Sequence, residues 1–184
     1  MHKAIIILCF FILFGCNHPE SDNFNRDNST TSFSKLNTNS HTKSNIPSPY
    51  DRTLYKVVGV KDGDTIELLI HNYTLIVRLA HIDCPEKKQP FGQKAKQFVS
   101  DFCFNKNVSL IHNNKFDRNH RLIAEVILED GKNLNKLLVE NGLAWHYKKY
   151  SKVEEYTNLE IRAKQINKGL WGDLNPIAPW DWRN

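Results

Sequence analysis

Between Leu54 and Leu79 the chain repeats one pattern three times: a short β-branched and apolar segment, then a link long enough only for a turn. Leu54 to Val60, Thr65 to Ile70 and Leu75 to Leu79 are the three segments. Lys61-Asp62-Gly63-Asp64 carries the Asp-Gly pair favoured in tight hairpins, and His71-Asn72 reads as a second short turn. Links this short join neighbouring antiparallel strands, so the stretch predicts a three-stranded meander. Ile66 and Leu68 alternate with Thr65 and Glu67, which turns one face of the second strand inward.

The same reasoning carries down the chain. Gly92 to Phe104 predicts a helix, because Ala95, Phe98, Val99 and Phe102 fall on one face. Val108 to Ile111 is a fourth strand, His112 to Arg121 a polar loop, and Ile123 to Leu128 a fifth strand. Asn133 is placed to cap a helix carrying Leu134, Leu137 and Leu138, with Gly142 as its stop. A last helix is expected from about Val153 to Asn167, ended by Gly169. The aromatic tail with Trp171, Trp180 and Trp182 is read as packing on its own domain. Five short strands and about three helices point to a mainly β, α+β domain: a closed five-stranded barrel of the oligonucleotide-binding type.

Charge adds a direction but no proof. The 184 residues carry a formal net charge of +5. Residues 51–184 hold 21 bases against 17 acids, so the excess belongs to the part expected to fold. A polyanionic partner and a generic basic surface both fit.

His2 and Lys3 precede an unbroken apolar run from Ala4 to Phe14, too short to span a bilayer and suited to a signal-peptide core. Leu13-Phe14-Gly15-Cys16 resembles the lipobox of bacterial lipoproteins, in which Cys16 becomes the lipidated first residue; an ordinary cleaved secretory signal is the other reading. Either way the protein is expected to be exported, as a membrane-anchored lipoprotein or in secreted form, periplasmic or extracellular. Residues 17–50, rich in Asn, Ser and Thr, read as a flexible tether, with the folded domain at 51–184. Cys84 and Cys103 lie 19 residues apart. In an oxidising compartment they are expected to pair, stabilising by about 3 kcal/mol through loop closure; two buried free thiols are the alternative.

Chemistry concentrates between Val77 and Glu86. Arg78 interrupts an apolar run, which a buried strand tolerates only where an anion or carboxylate partners the guanidinium. Asp83-Cys84-Pro85-Glu86 follows, two carboxylates on a backbone stiffened by proline. Two carboxylates and an arginine suit a hard cation facing a phosphate.

Taken in order, Asp62-Gly63-Asp64-Thr65, Arg78-Leu79, Asp83-Cys84-Pro85-Glu86 and Asp117-Arg118-Asn119-His120-Arg121 resemble the thermonuclease (staphylococcal nuclease-like) family. Gly142-Leu143-Ala144 and Gly169-Leu170-Trp171 extend the resemblance, which covers about Tyr55 to Trp171. It implies an oligonucleotide-binding barrel with three helices. It implies that Asp64, Asp83 and the backbone carbonyl of Cys84 hold Ca2+, that Arg78 and Arg121 grip the scissile phosphate, and that Glu86 acts on the attacking water. It further implies a monomer that hydrolyses DNA and RNA with little sequence preference and leaves 3′-phosphates. Tyr147, Lys148 and Lys149 lie where the family contacts nucleotide, Trp145 being equally suited to core packing. The family's Tyr-Gly before its second arginine is replaced by Asn119-His120. That leaves the aim of Arg121 open, with Arg118 or His120 as alternative phosphate contacts. A catalytically inactive, nucleic-acid-binding lipoprotein is the alternative function, and a lipoprotein whose barrel binds protein or glycan a third.

Overall fold

The computed structural model describes the backbone of residues 51–184 and side chains from Thr53 onward. The leader, Cys16 and the expected tether lie outside the described residues.

Strands β1 (Asp51–Asp62), β2 (Thr65–Ile70) and β3 (Tyr73–Leu79) form the antiparallel meander. A short β4 (Ile82–Asp83) precedes helix α1 (Gly92–Cys103). Strands β5 (Asn107–Phe116) and β6 (Leu122–Leu128) follow, then α2 (Leu134–Glu140), β7 (Trp145–His146) and α3 (Glu154–Gln165). A single 3-10 turn at Gly169–Gly172 and the four-residue α4 (Pro179–Trp182) end the chain.

The sheet closes into a barrel in the order β1-β2-β3-β6-β5. Its seam is the one parallel pairing, β3 with β6, where Arg78 stands opposite Ile123. Irregularities between Val57 and Gly59 and between Val60 and Asp62 bend β1, so that one strand pairs with both β2 and β5. Alternation fills the interior: Val57, Ile66, Leu68, Val77, Leu79, Val108, Leu110 and Val126 are buried. Helix α1 adds Ala95, Val99 and Cys103 to this core, and α2 adds Leu134 and Leu138. Asn133 caps α2 by accepting the Lys136 amide at 3.1 Å.

Three expectations are corrected. The polar loop expected from His112 begins later, because β5 continues to Phe116. Its backbone still pairs with β6, His112 opposite Ala124 and Phe116 opposite Leu122, around an irregularity that includes left-handed Asn114 (φ 58°). Polar side chains hid the continuation of a strand that still pairs at both His112 and Phe116. The expected disulfide is absent: Cys84 and Cys103 are buried free thiols. The Cys84 thiol donates to the Gly63 carbonyl at 3.2 Å, while the Cys103 thiol bonds the Val99 carbonyl at 3.1 Å within α1. Burial pushes the Cys103 thiol up to about 12, so it stays protonated. Finally, a two-stranded sheet went unforeseen: Ile82 pairs with His146 and Asp83 with Trp145.

Gly142 and Gly169, both at positive φ, let the end of α2 meet the end of α3 backbone to backbone. A Cβ on Gly142 would lie 2.0 Å from the Lys168 carbonyl oxygen, and one on Gly169 2.3 Å from that of Gly142. The contact is sealed by the Leu170 amide donating to the Gly142 carbonyl at 2.8 Å. Both Gly-Leu motifs thus serve one joint.

Candidate active site

The β1–β2 turn is a hairpin and an acidic corner at once. Asp62 stands opposite Thr65, and the Asp62 carboxylate accepts the Asp64 amide at 3.0 Å. Asp64 is buried and reaches across to accept the Cys84 amide at 2.8 Å. That bond ties the hairpin to the loop after β4. The turn reading and the site reading of Asp62-Gly63-Asp64 therefore hold together.

Arg78 leaves β3 opposite Thr65, so pairing register places it beside this corner. Its side chain is only 13% exposed, and one terminal nitrogen lies 2.8 Å from Asp83 and 3.2 Å from Asp64. The other nitrogen donates to the Leu79 carbonyl at 2.6 Å. Burial opposes the charge of Arg78, but Asp64 and Asp83 outweigh it and raise its pKa. The strand needed an acid partner for this arginine, and it has two.

Asp83 comes from β4, after a turn at His81 in the left-handed region (φ 69°). Pairing with Trp145 fixes its backbone, and the Tyr147 amide bonds the His81 carbonyl at 2.9 Å. The next loop presents Glu86. Gln89 holds it by accepting the Glu86 amide at 3.0 Å. A Cβ on Gly92 would fall 1.9 Å from the Glu86 carbonyl oxygen, so only glycine lets α1 start against this loop.

Arg121 arrives from the opposite side. Asp117 accepts the amides of Asn119 and Arg121 at 2.9 and 3.0 Å and grips the Arg121 guanidinium at 2.7 and 2.8 Å. The remaining terminal nitrogen donates to Thr65 at 3.2 Å, whose hydroxyl in turn bonds Asp64 at 3.2 Å. His120 adopts the left-handed conformation (φ 58°) that a glycine enters more easily than a residue with a Cβ. Arg118 and His120 show no resolved bond to the acids.

These groups line one open cleft of about 1290 Å3, together with Tyr147, Lys148 and Lys149. Lys148 is tied to buried Glu160 at 2.9 Å. Trp145 packs edge-on against Trp171 at 4.3 Å, which fits its core role. Tyr147 is half-buried and stacks in parallel on Trp180 at 5.4 Å. Trp180 packs on its own domain as the aromatic tail was expected to, but its place beside Tyr147 in the cleft was not foreseen, and sequence reasoning missed Arg183 altogether. The Arg183 guanidinium lies 2.6 Å from both Asp83 and Glu86. Nothing local in the sequence marks a tail arginine as a partner of acids about a hundred residues away.

Asp62, Asp64, Asp83 and Glu86 thus share the cleft with the guanidinium groups of Arg78 and Arg183, while Arg121 is balanced by Asp117. In this inner group four carboxylates face two guanidinium groups, while Lys148, Lys149 and Lys164 bring further positive charge to the cleft wall. Burial, then Asp64, pushes Asp62 up to about 6. Burial also raises Asp83, despite Arg183 and Arg78. Among the described residues no three acidic, His or Cys side chains close into a metal cage. Two buried carboxylates, Asp64 and Asp83, and the Cys84 carbonyl make an all-oxygen set suited to a hard cation that keeps water ligands. Burial drives the Cys84 thiol well above its ordinary range, so its sulfur is no thiolate ligand.

The chain is similar to several known proteins. An "Uncharacterized endonuclease" of Haemophilus influenzae is 42% identical over 134 residues, 72% of this chain and 74% of its own length. A "Micrococcal nuclease" of Shigella flexneri is 36% identical over 138 residues, 70% of this chain and 79% of its own. An "Uncharacterized endonuclease" of Escherichia coli is 36% identical over 129 residues, covering 70% and 84%. The family described as staphylococcal nuclease homologue matches residues 76–173, which carry Arg78, Asp83, Glu86 and Arg121, and the chain belongs to that family.

Proposed function

We propose that the protein is an exported, calcium-dependent nuclease that hydrolyses phosphodiester bonds of DNA and RNA with little sequence preference, leaving 3′-phosphates. One observation carries the reading: buried Arg78 spans Asp64 and Asp83 in the cleft that Glu86 and Arg121 also line. In this reading Asp64, Asp83 and the Cys84 carbonyl hold Ca2+. When bound, the ion supplies positive charge to a phosphate oxygen. Arg78 and Arg121 donate N–H groups to the oxygens on which negative charge grows, in a fork that lysine cannot copy. Glu86, on the exposed side of the acid loop, takes the proton of the attacking water. Tyr147 stacks on a base, worth about 1–3 kcal/mol and indifferent to sequence. Lys149 draws in the backbone. Export would proceed from the leader, with anchoring through Cys16.

The test is full-length protein on single-stranded DNA and RNA, with calcium and then with excess chelator, beside Arg78→Ala. Calcium-dependent cleavage that falls a hundred- to thousandfold in the variant is expected, roughly the cost of losing one oxyanion donor. Tight binding without cleavage would instead support a nucleic-acid-binding module, and neither would remove nucleic acid from the reading.

A further inference from the structure

The C-terminal segment is placed by three contacts that a merely packed tail does not need. Gln89, in the loop that carries Glu86, donates to the Ile177 carbonyl at 2.6 Å and docks the segment there. Trp180 lies parallel to Tyr147, within 3°, and edge-on to Trp145 at 5.6 Å. Arg183 then lays both terminal nitrogens on Asp83 and Glu86, with a further approach of 3.5 Å to the second Asp83 oxygen. The last two contacts cover groups assigned above to the reaction: Trp180 covers the stacking ring of Tyr147, and Arg183 covers a metal-holding carboxylate and the base for water.

We propose that this segment is a built-in competitor, with Arg183 taking Asp83 from the cation and Glu86 from the attacking water, and Trp180 covering the ring that a base needs. The inference rests on the calcium reading of the preceding section. A guanidinium and a divalent cation seek the same oxygens, and Asp83 cannot give the same lone pairs to both. The Arg183 side chain is 42% exposed and can swing into water, but the Asp83 side chain is only 2% exposed, so the guanidinium leaves readily only when another cation takes its place. Low calcium leaves the arm seated. Higher calcium expels Arg183, which frees Glu86 and loosens Trp180 in one movement. The site thus opens only when its cation is present.

The experiment is calcium titration by isothermal calorimetry, without nucleic acid, on the full-length protein, on Arg183→Ala and on a chain ended after Ala178. If the arm is seated about nine-tenths of the time, both variants bind calcium about tenfold more tightly than the parent. The calcium concentration giving half-maximal cleavage falls by the same factor. Thermal unfolding confirms that the variants are folded, and the truncation guards against a peculiarity of the alanine. Equal affinity in all three proteins overturns the inference while leaving calcium binding intact. Lower cleavage by Arg183→Ala at saturating calcium also overturns it and makes Arg183 a participant in the reaction. Absence of calcium binding in all three sinks the calcium reading itself, and the inference with it.

Discussion

Glu125 on β6 offers a quantitative check of the electrostatics behind the cleft. One carboxylate oxygen accepts the Tyr156 hydroxyl at 2.7 Å and the Asn133 side-chain amide; the other lies 3.5 Å from His81. The group therefore joins the barrel to α3, to the cap of α2 and to the turn before Asp83. Burial pushes its pKa up, but the hydrogen bonds from His81, Tyr156 and Asn133 win and hold it at about 2, against an ordinary 4.5. A depressed carboxylate stabilises the fold above its unfolded pKa and loses that contribution as pH falls through the folded one. The difference sets a ceiling of about 3 kcal/mol. Partial exposure lowers the expected value to about 2 kcal/mol. Glu125→Gln should therefore cost about 2 kcal/mol at pH 7, roughly half of that near pH 3, and almost nothing by pH 2. Urea unfolding followed by tryptophan fluorescence, at pH 7, 5 and 3, measures the difference. A loss of the same size at all three values would refute the argument, since it would mean lost packing rather than lost charge.

Two further outcomes follow from the geometry. Asp117→Asn keeps the acceptor for the turn amides but weakens the grip on Arg121, so kcat should fall roughly tenfold through misalignment, with KM little changed, in steady-state assays on single-stranded DNA. Gly142→Ala combines positive φ with a carbonyl oxygen 2.0 Å from the new Cβ, and should cost about 3 kcal/mol or more, seen as a lower Tm.

The barrel strands were legible as short β-branched and apolar segments between turn signals, with a two-residue alternation plain from Thr65 to Leu68. The helix α2 was legible because Asn133 and Gly142 punctuate it. The sheet of β4 with β7 was not, since two residues leave no period to detect. The polar half of β5 was hidden because side-chain polarity reports solvent, whereas strand pairing is a backbone property. Arg78 announced itself: a charge inside an apolar run demands a partner. Arg183 sits in a polar tail where an arginine is unremarked, so its acids became visible only through the fold. The cysteine pairing failed for a similar reason. Spacing in the chain allows a bond, but each sulfur is already engaged by a nearby carbonyl.

The two-residue pairing of Asp83 with Trp145 has a consequence for how the protein is made. By the time Leu128 has been added, a growing chain has every barrel strand, including the Asp64 hairpin, Arg78 and the Arg121 turn. Asp83 still lacks its partner strand, which arrives with Trp145–His146, and Glu160, which receives the His146 amide at 3.1 Å, comes later still. Asp83 therefore gains its partner strand only after the last barrel strand has been made, so a chain stopped at Leu128 has every strand of the barrel but cannot form the β4–β7 sheet that fixes Asp83.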